Sequence, residues 1–512
     1  MGIVEHRRMA RGNKGSRMNL GQELLSVLWN GTFRAAPAAR AMALVATVLL
    51  ISGCAVDQKK EVATYRHVLD GQHPAPEIEI QPGEPLSLET ALLLANRSSE
   101  QLASSGEDYL QALIDKERAV SLFLPTISLA PTYTWVDKAP GNGRRITGQT
   151  PITGAYNLFN GFQDLSNFKR AGYTADQRRA ALLDLQQNVL LNVAQTYYQI
   201  LSAERSVEVL KNSVSVQNER LRDMQGRQFA GVARPLDVAQ TAAQAAATRV
   251  ELIQSENNVR TGRALLAFLV SAPVQDSPVA DRIDVPAKLP PVALLVEDAQ
   301  ITRQDVRASE AQIEAARQNV QQAIGQYYPS VTLDVNYLLS RTISTTGFIP
   351  SLYHWNAILD VNLPIFTGGA INANVRTAWS QLRQAWLTER ATRRQAAEQV
   401  QVAYENLEDS RRRIVELHVE VEAAQEALRQ AENAYAAGLG TNLDRLTAQD
   451  QLLTAQLSLV GEEFNFKVFY LDLLREQGRM PLPDSAVPLT TQPTSRPAAP
   501  ETITPGPVRT TR

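Results

Sequence analysis

The sequence has few of the residues that most often carry catalysis or bind metals. Its 512 residues include one cysteine and six methionines, and the methionines do not cluster. The five histidines are scattered and form no His-Glu-x-x-His motif. Gly141 and Gly143 lie in a predicted hairpin loop, without the strand and helix that flank a nucleotide site. These absences argue against an enzyme, and they predict no cofactor and no metal.

The sequence also lacks a strong charge of one sign and a long apolar run. Its formal net charge is −2 and it has no basic block, which argues against a nucleic-acid partner. The apolar run over residues 41–51 is too short to span a bilayer, which takes roughly 20 residues. No later run reaches that length, so a membrane crossing would have to be made by β-strands.

The N-terminus has the pattern of an export signal. Basic residues, among them Arg34 and Arg40, precede the apolar run, and Ser52-Gly53-Cys54 follows it. A positively charged region, a short apolar region and small residues at a cleavage point indicate a signal peptide over residues 1–53. The basic region is unusually long, so Met18 is an alternative start, whereas a start at Met42 would remove the positive charges.

Proline is absent from residues 152–234 and 365–480, and there the chain is predicted to be helical. Leu190, Val193, Tyr197 and Ile200 follow the three-four spacing of an amphipathic helix. Helices over residues 164–229 and 370–436 would each be about 100 Å long, followed by returning helices over 236–272 and 443–478. Residues 86–123 also read as a helix. Helices of this length indicate coiled coils or a repeat architecture.

Two β-hairpins are predicted, over residues 127–159 and 330–366. Runs 127–136 and 151–159 flank a loop at 140–148, and runs 330–340 and 353–366 flank a second loop. Their aromatic residues suit the interfacial girdle of a barrel, although buried packing would explain any single one; they are Tyr133, Trp135, Tyr156, Tyr337, Tyr353 and Trp355.

The same order of landmarks occurs twice. Gly231 and Gly438 lie 207 positions apart, as do Asp237 and Asp444, and Phe159 and Phe366. Recurrence in the same order predicts a tandem repeat, residues 88–290 and 291–480, each with a helix, a β-hairpin and a long helical hairpin. A polar tether (54–87) precedes the repeats, and a Pro/Thr-rich tail (481–512), predicted to be disordered, follows them.

Four strands cannot close a barrel, since small barrels need about eight. Open sheet edges are not tolerated at membrane depth. A membrane-spanning sheet therefore requires a homo-oligomer, and three chains would supply twelve strands.

The order of elements resembles the TolC family of outer-membrane efflux proteins over nearly all of the mature chain. The motifs are Leu124-Pro125 and Tyr328-Pro329 before the hairpins, the Phe-x-Gly turns after them, and Arg-Gln-Asp-Val-Arg-Ala at 303–308. The resemblance implies a mainly α fold with a β-barrel portion. That fold is a homotrimer whose twelve-stranded outer-membrane β-barrel is continued by a long periplasmic α-helical barrel.

The resemblance also implies a function and partners. Such a protein is the outer-membrane channel of a tripartite efflux or secretion system, with a periplasmic adaptor (membrane fusion protein) at its tip and an inner-membrane pump beyond. Residues 51–54 resemble the lipobox of bacterial lipoproteins, which implies that Cys54 is lipidated in the outer membrane. Ala55 follows, where an acidic residue would be associated with inner-membrane retention.

Residues near Gly438 resemble the family's periplasmic tip. This implies that Asp444 lines a gate together with Leu443 and Leu446, because Gly440 and Thr447 replace a basic and an acidic residue of the family's closing network. The expected tip contacts are Asp237, Gly231, Val232, Gly438 and Leu439. Helix capping by the acids and glycines is the alternative interpretation.

A different class of protein also fits parts of the sequence. A lipid-anchored periplasmic coiled-coil scaffold without a pore would need the long helices, but it would have no use for aromatic-rich hairpins at matching places. The sequence does not identify a substrate, a pump or an adaptor.

Overall fold

The structure is a computed structural model that describes residues 56–71, 85–139, 143–274, 277–281, 283–344, 347–348 and 352–480. The expected signal peptide, Cys54 and the tail from residue 481 lie outside the described residues. The chain divides into Met1–Lys60 and Glu61–Arg512. The first unit is described only over residues 56–60, where the first helix begins, and the fold below is that of the second unit.

Long helices dominate the described chain. Both α4 and α8 have 67 residues, which corresponds to about 100 Å. The four long helices lie within two residues of the expected bounds. No helix in the described ranges has the length and apolarity that a membrane span requires. The helices are α1 (Gln58–Asp70), α2 (Leu88–Ser98), α3 (Glu100–Ser121), α4 (Gln163–Phe229), α5 (Pro235–Val270), α6 (Val292–Thr302), α7 (Gln304–Gly325), α8 (Ala370–Ala436) and α9 (Asn442–Glu476).

The single helix predicted over residues 86–123 is wrong, and the residues predicted to form a tether include a helix. The single helix expected over residues 86–123 is broken at Ser99, whose backbone is extended and whose Oγ accepts the N–H of Leu102 at 3.3 Å. A serine that caps a new helix in this way ends the previous one. The expected tether contains α1, where Tyr65 and Leu69 are buried with Leu102 and Leu182.

The strands form one antiparallel sheet with four strand positions. Both β1 and β2 pair with β3, β3 pairs with β4, and β4 pairs with β5 and β6. The β3–β4 ladder runs from Asn160–Ser330 to Arg145–Ser344 and joins the two hairpins. The strands are β1 (Thr126–Leu129), β2 (Thr132–Ala139), β3 (Gly143–Asn160), β4 (Ser330–Ser344), β5 (Gly347–Phe348) and β6 (Leu352–Asn362).

The sheet differs from the prediction at both hairpins. Strand β3 already begins at Gly143, so most of the expected loop 140–148 is strand, because ladders on both sides outweigh its polar composition. Strand β6 ends at Asn362 and does not reach residue 366, since Pro364 has no N–H to donate to a ladder.

The helices next to the sheet form a row in the order α3, α4, α7, α8, in which each packs against the next. Ala316 and Val320 of α7 pack with Ala378 and Leu382 of α8. Further from the sheet, α5 packs on α4, and α9 packs on both α4 and α8. The largest apolar cluster joins α2, α4, α5 and α9 around Tyr197. This packing leaves the turns after α4 and α8 at the ends of two helical hairpins.

Candidate functional site

The candidate site consists of the two turns that end α4 and α8, residues 229–237 and 436–444, here named the tip turns. In the first, Gly231 has φ 75°, its N–H donates to the Gln228 carbonyl at 2.9 Å, and the Val232 N–H donates to the Arg227 carbonyl at 2.9 Å. These two bonds define a Schellman motif, whose left-handed residue favours glycine.

The second tip turn has the same hydrogen bonds. Gly438 has φ 73°, its N–H donates to the Tyr435 carbonyl at 3.1 Å, and the Leu439 N–H donates to the Ala434 carbonyl at 2.8 Å. Each donor and acceptor lies 207 positions after its counterpart in the first turn. Both turns expose apolar side chains, and Leu439 is 87% exposed.

The two aspartates of the tip turns cap the returning helices. The Asp444 carboxylate accepts the Thr441 N–H at 2.8 Å and the Thr441 hydroxyl at 2.7 Å, and the Thr441 Oγ1 accepts the Asp444 N–H at 3.2 Å. This is a capping box. The Asp237 carboxylate accepts the backbone N–H of Arg234 at 3.3 Å and its guanidinium at 2.8 Å. The capping interpretation is confirmed for both acids.

These hydrogen bonds stabilise the ionised carboxylates. The Thr441 side chain and backbone donors lower the pKa of Asp444 below its ordinary value. The Arg234 guanidinium does the same to the pKa of Asp237. Hydrogen bonds to a charged form favour that form. Both aspartates are therefore ionised at neutral pH, but Arg234 balances the charge of Asp237 in the first tip turn, whereas Asp444 leaves the second tip turn negative.

The residues expected at the gate and the expected tip contact Asp237 differ in exposure. Leu443 and Asp444 are exposed, as is Thr447, whereas Leu446 is only 5% exposed and Asp237 only 9%. Because Leu446 is buried within the chain, its side chain is not available to narrow an opening.

A polar link joins the two helical hairpins beside the tip turns. Asn442, at the start of α9, donates from Nδ2 to the Asp237 carbonyl at 3.3 Å and to the Thr241 hydroxyl at 3.1 Å, both on α5. Its Oδ1 accepts the Arg445 guanidinium at 2.9 Å. Asp237 thus contributes its main-chain carbonyl to the contact between hairpins and its carboxylate to its own helix.

Two guanidinium groups lie over the ring of Tyr435. That of Arg445 is 4.4 Å from the ring centroid and that of Arg227 is 5.6 Å from it. Arg445 is only 7% exposed and forms no ion pair with any described carboxylate. The stack joins α4, α8 and α9. Because the Arg445 guanidinium is shielded from water, its attraction to the ring is stronger than that of an exposed cation. Arg220 adds hydrogen bonds to Gln449 and Glu432.

Sequence reasoning missed Asn442, Arg445 and Tyr435. The sequence signal for a buried cation was the position of Arg445 between the apolar residues Leu443 and Leu446, where a solvent-exposed arginine is not expected. Gly440 complements this arrangement, because a Cβ there would lie 3.1 Å from the Ala434 Cβ and 3.2 Å from the Tyr435 N. A side chain at residue 440 would crowd the turn. Across the described ranges, no three metal-ligating side chains converge.

Comparison with known proteins agrees with this architecture. The family described as outer membrane efflux protein matches residues 92–271 and 295–466. The chain is 27% identical over 348 residues to the outer membrane efflux protein BepC of Brucella suis, covering 67% of this chain and 75% of BepC. It is 22% identical over 400 residues to the probable outer membrane lipoprotein SilC of Salmonella typhimurium, covering 73% of this chain and 83% of SilC.

The fold is also similar to a solved structure. The crystal structure of the outer membrane protein VceC of Vibrio cholerae superposes with a TM-score of 0.68 and 22% identity, covering 77% of this chain and 96% of VceC. The long helices and antiparallel sheet are those of this class of outer-membrane protein. The chain belongs to the outer membrane efflux protein family. Its role is that of the outer-membrane component in efflux.

Proposed function

We propose that three copies of this chain form the outer-membrane channel of a tripartite efflux system, with a twelve-stranded β-barrel above an α-helical barrel. The observation that carries this proposal is the open sheet. Its four strand positions end at β1/β2 on one side and at β5/β6 on the other, and no described strand pairs beyond them. Unpaired edges at membrane depth require a partner strand, and head-to-tail association of three copies supplies one at every edge.

The tip turns support the proposed tandem repeat. Residues 88–290 and 291–480 would each contribute one sheet hairpin and one long helical hairpin. The equivalent Schellman bonds at Gly231 and Gly438 occur at one constant offset. Three copies would then place six tip turns at the end of the tunnel that is remote from the membrane.

The second tip turn is the proposed gate. Three exposed Asp444 carboxylates would ring the opening, where they favour cations and repel anions more strongly than surface charges do, because the effective dielectric of a narrow mouth is low. Leu443 is exposed beside Asp444 and would narrow the same opening. We assign Leu446 a packing role beneath the gate. The Asn442 bonds to α5 would hold the two hairpins together in the closed state.

The exposed tip residues are the proposed docking surface for a periplasmic adaptor, which would connect the channel to an inner-membrane pump. Val232 and Leu439 present apolar side chains next to Gly231 and Gly438, and Phe229 is 97% exposed. A cluster of exposed apolar side chains marks an interaction site more often than a free surface.

We further propose that Cys54 anchors the protein to outer-membrane lipid, with the helices extending into the periplasm. The lipobox-like residues 51–54 support this, and the relative SilC is named as a probable outer membrane lipoprotein. Labelled palmitate should enter the wild type and not Cys54→Ser. Equal labelling of both proteins would contradict the lipid anchor.

Mass measurement in detergent separates the channel from a coiled-coil scaffold without a pore. The channel proposal predicts three chains per particle, because a single chain leaves both sheet edges open. A stable monomer would contradict the barrel and favour the scaffold. The sheet itself already disfavours the scaffold, since a periplasmic coiled coil has no use for exposed strands bearing Tyr353 and Trp355.

A further inference from the structure

The two helices at the ends of the row carry opposite charge. Helix α3 has five acidic residues and two basic ones, a net charge of −3. The first part of α8, residues 370–394, has five arginines and one glutamate, a net charge of +4. The acidic residues of α3 are Glu100, Glu107, Asp108, Asp115 and Glu117, and the arginines of α8 are Arg376, Arg383, Arg390, Arg393 and Arg394.

Four of the five arginines in residues 370–394 have no partner among the residues that the structure describes. Arg393 pairs with Glu389 and Glu310. The other four are exposed, and none forms an ion pair or hydrogen bond with a residue that the structure describes. Three of these arginines alternate with two tryptophans at the three-four spacing of a coiled-coil seam. In order along α8 the residues are Arg376, Trp379, Arg383, Trp386 and Arg390. Both tryptophans are about 40% exposed.

The opposite charges lie at matching heights. Helix α3 runs toward the sheet and α8 runs away from it, so the two would meet antiparallel. Counted from the helix ends next to the sheet, Glu117 lies four residues from the end of α3 and Arg376 lies six residues from the start of α8. Two matched levels result, Glu117 with Arg376 and Glu100 with Arg390, and the second pair differs by one residue. Arg383 lies between them at the level of Glu107, whose carboxylate interacts with the Tyr65 hydroxyl of α1.

We propose that α3 of one copy packs against residues 370–394 of α8 in the next copy, forming an electrostatic seam between subunits. This inference rests on the proposed trimer and identifies the surface that assembles it. The seam continues the sheet, because α3 leads into the β1/β2 edge and α8 follows the β5/β6 edge. Pairing those edges between copies brings the two helices side by side.

Charge also sets the direction of assembly. Placing α3 against α3, or α8 against α8, would bring like charges together, which costs far more than a single exposed pair contributes. Only the head-to-tail arrangement pairs the acidic helix with the basic one, and a head-to-tail interface forms a ring when the rotation between copies closes, as in the proposed trimer. The seam therefore disfavours two-fold dimers as well as stabilising the ring.

Charge reversal on the full-length protein tests the seam. Arg376→Glu with Arg390→Glu on α8, or Glu100→Arg with Glu117→Arg on α3, should lower the trimer-to-monomer ratio in detergent by about tenfold, since several weak pairs are lost and like charges face each other. The four changes together should restore assembly. The control variant, Arg205→Glu with Arg412→Glu, changes two exposed arginines outside the seam and should leave the trimer-to-monomer ratio unchanged.

A disulfide between copies provides a second measurement. Chains carrying Glu117→Cys, mixed with chains carrying Arg376→Cys, should form a covalent dimer on oxidation. If trimers form but the reversed variants assemble like wild type and no cross-link appears, the seam is wrong and the trimer stands. If the wild type is a monomer, the proposed channel itself fails.

Discussion

The Arg445 guanidinium lies 4.4 Å from the centre of the Tyr435 ring, and this contact joins the start of α9 to the end of α8. The same guanidinium bonds Asn442, which bonds the Asp237 carbonyl on α5. One buried cation thus connects both helical hairpins at the proposed gate. A change that separates the hairpins has to break these contacts together.

Removing the Arg445 charge should weaken the closed state. A desolvated cation–π contact contributes up to about 2 kcal/mol, so Arg445→Met should shift the closed-to-open ratio by roughly thirtyfold toward open. Tyr435→Leu should act in the same direction, whereas Tyr435→Phe keeps the ring face and should behave like wild type. Single-channel recording in planar bilayers measures this ratio. Equal open probability in wild type and Arg445→Met would contradict the assigned role.

Asp444→Ala should change ion selectivity more than folding. Its carboxylate is exposed and would face the opening, whereas that of Asp237 bonds Arg234 within its own turn. Asp444→Ala should therefore reduce block by divalent cations, and Asp237→Ala should not. Each substitution removes the acidic member of a capping box, so Asp237→Ala controls for the loss of the cap. Unchanged cation block in Asp444→Ala would leave Asp444 as a helix cap only.

Arg303→Met should destabilise the chain strongly. Arg303 is 4% exposed, and it pairs with Glu476 and, at 2.7 Å, with Asp305. Removing one member of a buried ion pair leaves an uncompensated charge and costs about 3–5 kcal/mol. Arg412→Met, which breaks an exposed pair with Asp409, should cost less than about 1 kcal/mol. Denaturant unfolding compares Arg303→Met with Arg412→Met. Similar unfolding midpoints for the two variants would contradict the prediction.

Asp472 should make stability depend on pH. Burial raises the pKa of Asp472 above its ordinary 3.8, with a further contribution from Glu476 that Arg475 partly offsets. A raised folded-state pKa means that the folded chain binds this proton more tightly than the unfolded chain does. The stability that Asp472 contributes is therefore lost as pH rises through that pKa.

Asp472→Asn removes this charge. The variant should be more stable than wild type at neutral pH and should match it below pH 3.8, where Asp472 is protonated. Thermal unfolding at both pH values measures the difference. A variant that is less stable than wild type at neutral pH would contradict the assignment.

Helices and turns with a local cause were predictable from sequence. Regular apolar spacing and the absence of proline predicted α4 and α8, and the constant offset between Gly231 and Gly438 predicted two turns of one kind. The break at Ser99 was missed because a single capping serine does not interrupt the apolar spacing. The sequence predicts a start of β3 at residue 151 and not at Gly143. Residues 143–148 are strand because β3 pairs there with β2 on one side and β4 on the other.

Contacts between distant parts of the chain were not predictable in this way. Arg445 and Tyr435 come together because the chain reverses at Gly438, and Asn442 meets Asp237 across 205 positions. The sequence does not predict α1, because its buried apolar side chains, Tyr65 and Leu69, are few. Their significance depends on Leu102 and Leu182, which form the surface that buries them. Packing of this kind is a property of the fold and not of any short segment.

Conductance of the purified full-length protein in planar bilayers tests the central claim most directly. The proposed trimeric channel predicts discrete conductance steps from particles whose mass corresponds to three chains, with small or rare steps in wild type and larger or more frequent ones in Arg445→Met. Trimers that insert into the bilayer and conduct no ions, in wild type and Arg445→Met alike, would contradict the channel.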